Sequence, residues 1–391
     1  MACGLSTCFK DRSLVRLLII SNMPHYRKDG QVLGWGPTVQ EIDHLAGLFN
    51  RIDHIACLHP EPAPASSLPY LSGKVRLIPV QPTGGTRLRD KFEILSRFPD
   101  YARTIRRELP GADVVHVRCP ASICLLAILM LSLRRQPELR WVKYAGEWQR
   151  DGREPASYAF QRWWLKKSWS RSWVTVNGEF RGQPPHIRPF FNPCLDDTEL
   201  AHAGRLALQK PPIKSLGIVF AGDLNPNKGV LRALEIVRLI RSSGVDARLE
   251  VVGDGAERPV LEQKIAEFGI ADAVTLHGWL PRTALGEIYA RNHLFLMTSR
   301  TEGWPKVLSE AMAYGVVPIA SAISCIPDYL GKFRTGQTMA WDDLPAFAEA
   351  AMSYYRTPSR WRQESARAVA VAKQFSYSNY LKQVRVLLGL Q

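Results

Sequence analysis

The sequence predicts an α/β protein of two domains, each a parallel sheet wrapped by helices. Three observations carry this. Short apolar runs alternate with stretches whose apolar residues recur at helical spacing, the pattern of strand–helix–strand units. The alternation gives way to a Pro- and Gly-rich stretch at 178–212 and restarts at Leu216. The chain, 391 residues and 46% hydrophobic, is long enough to bury two cores.

Residues 16–21 (RLLIIS) read as the first buried strand, and a long turn then runs to Gly36. Pro37 opens a helix with Val39, Ile42, Leu45, Ala46 and Phe49 on one face. Gly30, Gly34 and Gly36 let that turn approach a ligand closely, though plain turn glycines look the same. Strands follow at 52–58, 75–80 and 113–118; His116, inside the last, reads as a core histidine. The longest apolar run, 123–133, is about eleven residues against the ~20 of a membrane span, so it reads as a buried helix. A strand at 141–144 ends in Ala145-Gly146-Glu147-Trp148. Carboxyl ends of parallel strands face the ligand crevice, which makes Glu147 a candidate for acceptor binding or proton handling, beside the reading of an ordinary loop acid.

Residues 158–173 mix Trp163, Trp164, Trp169 and Trp173 with Arg162, Lys166, Lys167 and Arg171 near one side of a helix. Aromatics beside cations suit the lipid headgroup zone; the other reading is an amphipathic helix with its Trp residues in the core. A second basic cluster spans 87–107, and residues 174–176 form the last strand before the Pro/Gly-rich stretch.

In the second half, a strand at 217–222 leads to Lys228-Gly229 and a helix burying Val230, Leu234, Val237 and Ile240. A lysine at such a helix start reaches a phosphate as a point charge, although a solvated lysine is the ordinary occupant. A strand at 249–252 enters Gly253-Asp254-Gly255, which lacks the third glycine of a dinucleotide fingerprint. After 274–277, the apolar run 294–297 leads to a turn with Glu302 and Gly303. Pro305 sits at the first helical position, where its missing amide costs nothing, and Gly315 stops the helix before a strand at 318–320.

Glu302 lies on the loop and Glu310 about two turns into the helix. Eight steps at ~100° make ~800°, so the two acids point to one general side but too far apart to share a proton. They suit two parts of an elongated polar ligand. The helix amino end, from Gly303 and Trp304 through Lys306 to Val307, offers free amides and a positive dipole end to an anion. A plain strand–helix unit with two solvated acids would carry the same spacing.

Residues 299–321 (SRTEGWPKVLSEAMAYGVVPIAS) resemble the signature of the retaining family-4 glycosyltransferases of the GT-B fold. The match lies in Glu302, seven residues, Glu310, then Ala311, Ala313, Gly315 and Pro318. Gly222 to Gly229 resembles that family's Gly-x-Leu-x-Pro-x-Lys-Gly motif, Gly253-Asp254-Gly255 its turn near the nucleotide, and Ser324 to Asp328 its Gly-Gly-Ile-Pro-Glu turn. The motifs cover roughly 217–330, with weaker likeness before them.

The resemblance implies two Rossmann-like domains facing across a cleft: residues 1–195 for the acceptor, a linker at 196–213, residues 214–374 for the nucleotide sugar, and a helix at 375–391 crossing back. It implies that Glu302 touches donor-sugar hydroxyls and Glu310 the ribose. Lys228 and the helix amides hold the diphosphate, Gly222 and Gly253 are among the donor-binding residues, and Gly34 and Gly36 face the diphosphate from the first domain. Glu302, Lys228 and Glu147 form the catalytic set.

Two departures stand out. Asp223 occupies a position where relatives carry a diphosphate-binding Arg; Lys228 and amides suffice, or another cation such as Arg300 substitutes, or donor affinity is low. Relatives also carry a His near Glu147.

No metal or other cofactor is expected: Asp196-Asp197 and Asp342-Asp343 lack the DxD spacing. Seven cysteines, an odd number without CxxC, point to reduced cytosolic thiols. The amino terminus lacks the apolar core of a signal peptide. A net charge of +15 favours anionic partners, and no nucleic-acid motif accompanies it. The expectation is a cytoplasmic enzyme, associated with the inner face of the membrane. It would move a sugar from a UDP or GDP donor to a glycan or lipid-linked acceptor in bacterial surface polysaccharide synthesis. A non-catalytic anion- or membrane-binding relative and a sugar-nucleotide epimerase of the same fold are the rivals.

Overall fold

Leu17, Leu18, Ile19 and Ile20 are all fully buried. A run covered on both faces belongs in the middle of a parallel sheet sandwiched by helices, and that is where β1 (Arg16–Lys28) lies. The structure is a computed structural model that describes residues 15–83, 88–149 and 154–390, without the side chains of 88–95. Its chain divides into two units: residues up to 190 together with 381–391, and residues 191–380.

Unit 1 continues through β2 (Gln31–Trp35), α1 (Gly36–Leu45), β3 (Arg51–Leu58), β4 (Ser67–Pro69), β5 (Val75–Val80), α2 (Leu88–Glu108), β6 (Val114–Cys119) and α3 (Ser122–Ser132). Then come β7 (Leu139–Tyr144), α4 (Ala156–Lys166), β8 (Trp173–Val176) and β9 (Ile187–Pro189). The parallel part runs β5-β3-β1-β6-β7-β8-β9, with β2 antiparallel to the far half of β1 and β4 antiparallel to β2.

That hairpin corrects the long turn expected up to Gly36. β1 runs on to Lys28, and Asp29 and Gly30 (φ +50° and +78°) make a two-residue reversal whose twist matches the strands. Gly34 pairs with His25 on one side and Leu68 on the other, with Met23 and His25 side chains filling the space a Cβ would need. The Gly36 amide donates to the Ser66 carbonyl at 3.0 Å. Both glycines pack the hairpin, and the Gly36 amide is used within it.

α4 also ends sooner than expected. Ser168 and Arg171 take left-handed φ, so Trp169 and Arg171 sit on a turn and Trp173 on a strand. Arg162 is buried and paired with Glu154, which removes it from any basic face. In the basic cluster 87–107, Arg87 and the side chains through 95 lie outside the described residues.

Unit 2 opens with α5 (Asp197–Leu208), inside the stretch read as a linker. Asp196 and Glu199 form a capping box: the Glu199 amide donates to Asp196 Oδ1 at 2.7 Å and the Asp196 amide to Glu199 Oε2 at 2.8 Å. There follow β10 (Leu216–Ala221), α6 (Val230–Ser242), β11 (Ala247–Val252), α7 (Arg258–Glu267), β12 (Val274–Gly278), α8 (Arg282–Arg291), β13 (Leu294–Met297) and α9 (Lys306–Ala313). β14 (Val317–Ser321), α10 (Ile326–Phe333), β15 (Gln337–Met339), α11 (Leu344–Arg356) and α12 (Pro358–Ala372) complete it. α13 (Tyr377–Leu388) begins in unit 2, and its residues from Leu381 group with unit 1. The sheet is parallel throughout, in the order β12-β11-β10-β13-β14-β15.

Candidate functional site

The strand order of unit 2 reverses between β10 and β13. Loops leaving the carboxyl ends of those neighbours head to opposite faces of the sheet and open a crevice, the place where such sheets bind ligands. Lys228 stands on the loop after β10 and Glu302 on the loop after β13. Their side chains meet, Nζ to Oε1, at 2.5 Å, with 25% and 13% of their surfaces exposed.

The two loops are stitched together around that pair. Thr298 Oγ1 donates towards the Gly229 and Lys228 carbonyls at 2.7 and 3.1 Å. The Arg300 amide donates to the Asn227 carbonyl at 2.7 Å. Asn227 Nδ2 donates to the Thr301 carbonyl, and Thr301 Oγ1 to Asn227 Oδ1, both at 3.1 Å. Asn227 thus holds the lysine loop against the glutamate loop.

Gly222 and Gly253 form the floor. Gly253 sits at φ +130°, and a Cβ there would lie 1.9 Å from the Gly222 carbonyl oxygen, so only glycine permits this contact. Their amides are already used, by Val252 and Gly278 carbonyls at 3.0 and 2.8 Å. Both residues therefore shape the crevice; neither offers it an amide.

At α9, Pro305 is the cap and Lys306 the first helical residue, so Glu310 lies just over one turn in, not two. The cap residue, Pro305, makes no side-chain cap bond, and the amino end of the helix presents the positive end of its dipole. The side chain of Trp304 is taken up by the core, in keeping with a role for its backbone alone. The ring is 5% exposed, stacks on Phe375 at 4.9 Å, and donates its indole N–H to Ser309 Oγ at 2.7 Å, so only its backbone can face a ligand. The Gly303 carbonyl accepts from Ser324 Oγ at 3.2 Å, and that of Val307 from the Tyr289 hydroxyl at 3.3 Å.

Glu310 has a partner that sequence reasoning missed. Arg282 Nη2 lies 3.1 Å from Glu310 Oε1, while Nη1 of the same guanidinium lies 3.3 Å from Glu199 Oε1. Burial works against the charge of Arg282, yet the carboxylates of Glu310 and Glu199 hold its pKa above the ordinary arginine value. The three side chains line a hollow of about 190 Å³ with His202, Tyr289 and Tyr314. A signal was present: Arg282 is a cation at a helix amino terminus, where the dipole disfavours it unless carboxylates answer.

Asp223 is exposed at the end of β10. Arg300, the suggested replacement cation, has its guanidinium 5.1 Å from the Trp341 ring centre, and Arg232 covers the same ring at 4.0 Å. Glu147 belongs to unit 1, half-buried in the turn after β7. His116 stacks on Trp141 at 3.7 Å, and burial lowers its pKa well below the usual value, as a core histidine requires.

Among the described residues no group of three or more His, Cys, Asp or Glu could hold a metal ion, and no helix is long and apolar enough to cross a membrane.

Residues 209–370 match the model of a known protein family, the glycosyl transferases group 1. Unit 2 carries a glycosyl transferases group 1 domain. The transferase domain thus includes Lys228, Arg282, Glu302 and Glu310. The whole chain resembles a sucrose-phosphate synthase from Thermosynechococcus elongatus, with a TM-score of 0.68 over 95% of this chain and 98% of that one, at 20% identity. It also resembles Anabaena HepE in complex with UDP, with a TM-score of 0.67 over 96% and 100%, at 14% identity. Both likenesses concern the fold, which is GT-B. Among curated proteins, the putative colanic acid biosynthesis glycosyltransferase WcaL of Escherichia coli (strain K12) is 27% identical over 151 residues, 37% of each chain. The aligned part spans less than half the length of that relative and of its Salmonella typhimurium counterpart.

Proposed function

We propose that this chain is a retaining hexosyltransferase. It moves a sugar from a UDP or GDP sugar to a glycan or lipid-linked acceptor in the assembly of a bacterial surface polysaccharide. The observation that carries this reading is the Lys228–Glu302 pair, 2.5 Å apart at the switch point of the transferase domain. A departing nucleoside diphosphate gathers negative charge on its outer phosphate. Lys228 meets that charge as it develops, and the uncapped first turn of α9 adds the positive end of a helix dipole. Glu302, once Lys228 turns to the phosphate, accepts from hydroxyls of the donor sugar, and Glu310 accepts from the ribose. Attack comes from the face the diphosphate leaves, which retains the anomeric configuration. The charge on the leaving group is answered by Lys228 and amides, so the reaction needs no metal ion.

The polysaccharide part is supported by the name of WcaL, a colanic acid enzyme, and the uridine part by the UDP named with HepE. Unit 1 supplies the contact with an anionic membrane at its cytoplasmic face. Phe160, Trp163 and Trp169 are 38%, 46% and 44% exposed; Trp163 and Trp169 pack edge to face with Trp164, and Phe160 lies tilted against it at 5.6 Å. Exposed Leu133 follows Ser132, whose hydroxyl accepts from the Trp164 indole, and exposed Lys166, Lys167 and Arg171 surround the cluster. Such rings settle at headgroup depth, and each cation adds about 1 kcal/mol on an acidic leaflet.

The deciding experiment is a panel of nucleotide sugars scored by thermal stabilisation of the purified protein. A ligand at about one hundred times its Kd stabilises the folded state by about 2.7 kcal/mol. One donor should raise Tm and be turned over; a panel in which none does would sink the reading.

A further inference from the structure

The Arg282 fork lies between two acids, and its position in the fold explains what holds it there. Glu199 is fixed twice: as the third residue of α5 it closes the capping box with the Asp196 amide, and it faces Arg282 Nη1. Arg282 in turn engages Oε1 of Glu310. A line of polar contacts therefore runs from the amino end of α5, through one guanidinium, to a single oxygen of Glu310. The arrangement is costly on its own terms: a cation at the start of α8 opposes the helix dipole, and burial opposes its charge. Two carboxylates against one guanidinium leave the triad a formal charge of −1, so it accepts from hydroxyls and repels anions.

An unpaired glutamate at the fifth position of α9 would sample several rotamers, and ordering it on binding would offset part of any hydrogen bond it made. With Oε1 fixed by a planar donor fork, the carboxylate plane is set before a ligand arrives. The second oxygen is then preoriented for a diol.

We infer that Arg282 is a positioning residue for the nucleotide: it orients Glu310 towards the ribose and thereby sets a preference for ribonucleotides over 2′-deoxyribonucleotides. This rests on the reading of Glu310 as the ribose ligand, and the test separates the two.

The assay is titration calorimetry of the full chain with UDP, GDP and their 2′-deoxy counterparts. Losing a hydrogen bond to a charged acceptor corresponds to about a tenfold preference for the ribonucleotide. Glu310→Ala should abolish that ratio; wild type without a preference, or Glu310→Ala with one, overturns the ribose reading itself. Given that Glu310→Ala abolishes it, Arg282→Gln should reduce the ratio to about threefold or less, with Arg282→Lys in between. A purely structural arginine would weaken both ligands alike, so a folded Arg282→Gln protein with the tenfold ratio intact overturns the inference. If Arg282→Gln does not fold, Glu199→Gln reads the same linkage from the other side, since Gln keeps the capping box. A reduced ratio supports the inference, and an unchanged one overturns it.

Discussion

Glu302→Gln tests the arrangement at the switch point most sharply, because it should improve one property while destroying another. Lys228 Nζ is held by Glu302 at 2.5 Å, so any phosphate must take the ammonium from a carboxylate. Two unit charges at ~4 Å attract by ~4 kcal/mol at an effective dielectric of ~20, most of it offset by lost hydration. A net charge-assisted hydrogen bond is worth ~1.5–3 kcal/mol. With a quarter of the lysine exposed, solvent screening trims this to about 1 kcal/mol, or about fivefold in affinity. Replacing Glu302 with the nearly isosteric amide removes the competitor and leaves Lys228 in place. Calorimetry should therefore show nucleoside diphosphate binding about fivefold tighter than in wild type. Turnover of the nucleotide sugar should fall at least about a hundredfold, the usual cost of losing a group aimed at the reacting centre. Lys228→Ala should instead weaken the same diphosphate. Equal or weaker diphosphate binding by Glu302→Gln would refute the reasoning, because Lys228 would then not be where the phosphate goes.

Four further outcomes are expected. Asn227→Ala, which loses both side-chain bonds between the loops, should raise KM for the donor several-fold and lower stability by about 2 kcal/mol, read by kinetics and urea melts; an unchanged KM would remove Asn227 from the site's support. Vesicles containing acidic lipid should retain the protein at low salt, and replacing Trp163 and Trp169 together by Ser should release it, whereas equal retention on neutral vesicles would contradict the electrostatic contact. Acid should destabilise the fold. His25 has its pKa lowered by burial to about 4, from 6.5 when unfolded, so the unfolded chain binds more protons between those values and stability falls as pH drops through that window. That one residue accounts for about 3 kcal/mol, with His54 and His116 adding in the same direction; a Tm flat from pH 6.5 to 4 would count against it. Chelator should leave transfer intact, and loss of activity restored by a divalent ion would contradict the metal-free account.

What could be read from the sequence was whatever local pattern decides. Residues 294–297 and 17–20 are apolar throughout, which only a doubly covered strand tolerates, and both proved central. The resemblance of the two motifs put Lys228 and Glu302 at one donor, but no local signal gives the 2.5 Å contact between them across 74 residues of chain. The hairpin after β1 was not legible, because Pro24 and the charged residues beyond it mask strand alternation, and the pairing with β4 is decided in three dimensions. α5 could have been found from Asp196-x-x-Glu199, a capping-box pattern hidden among the Pro and Gly of its surroundings. The burial of the Trp304 ring was not legible, because it depends on Phe375, far along the chain. For Arg282 the sequence offered only a cation at a helix start, and its role was not legible from that because its partners come from α5 and α9.

The Lys228–Glu302 contact also bears on what happens after transfer. On the proposed reading, a complete donor compensates both side chains, its phosphate answering the lysine and its sugar the carboxylate. The spent nucleotide answers only the first, and leaves an acid stranded beside the place the sugar vacated. On that reading, re-forming the internal pair competes with the spent carrier for the lysine and favours its release by the same two residues that bound the load.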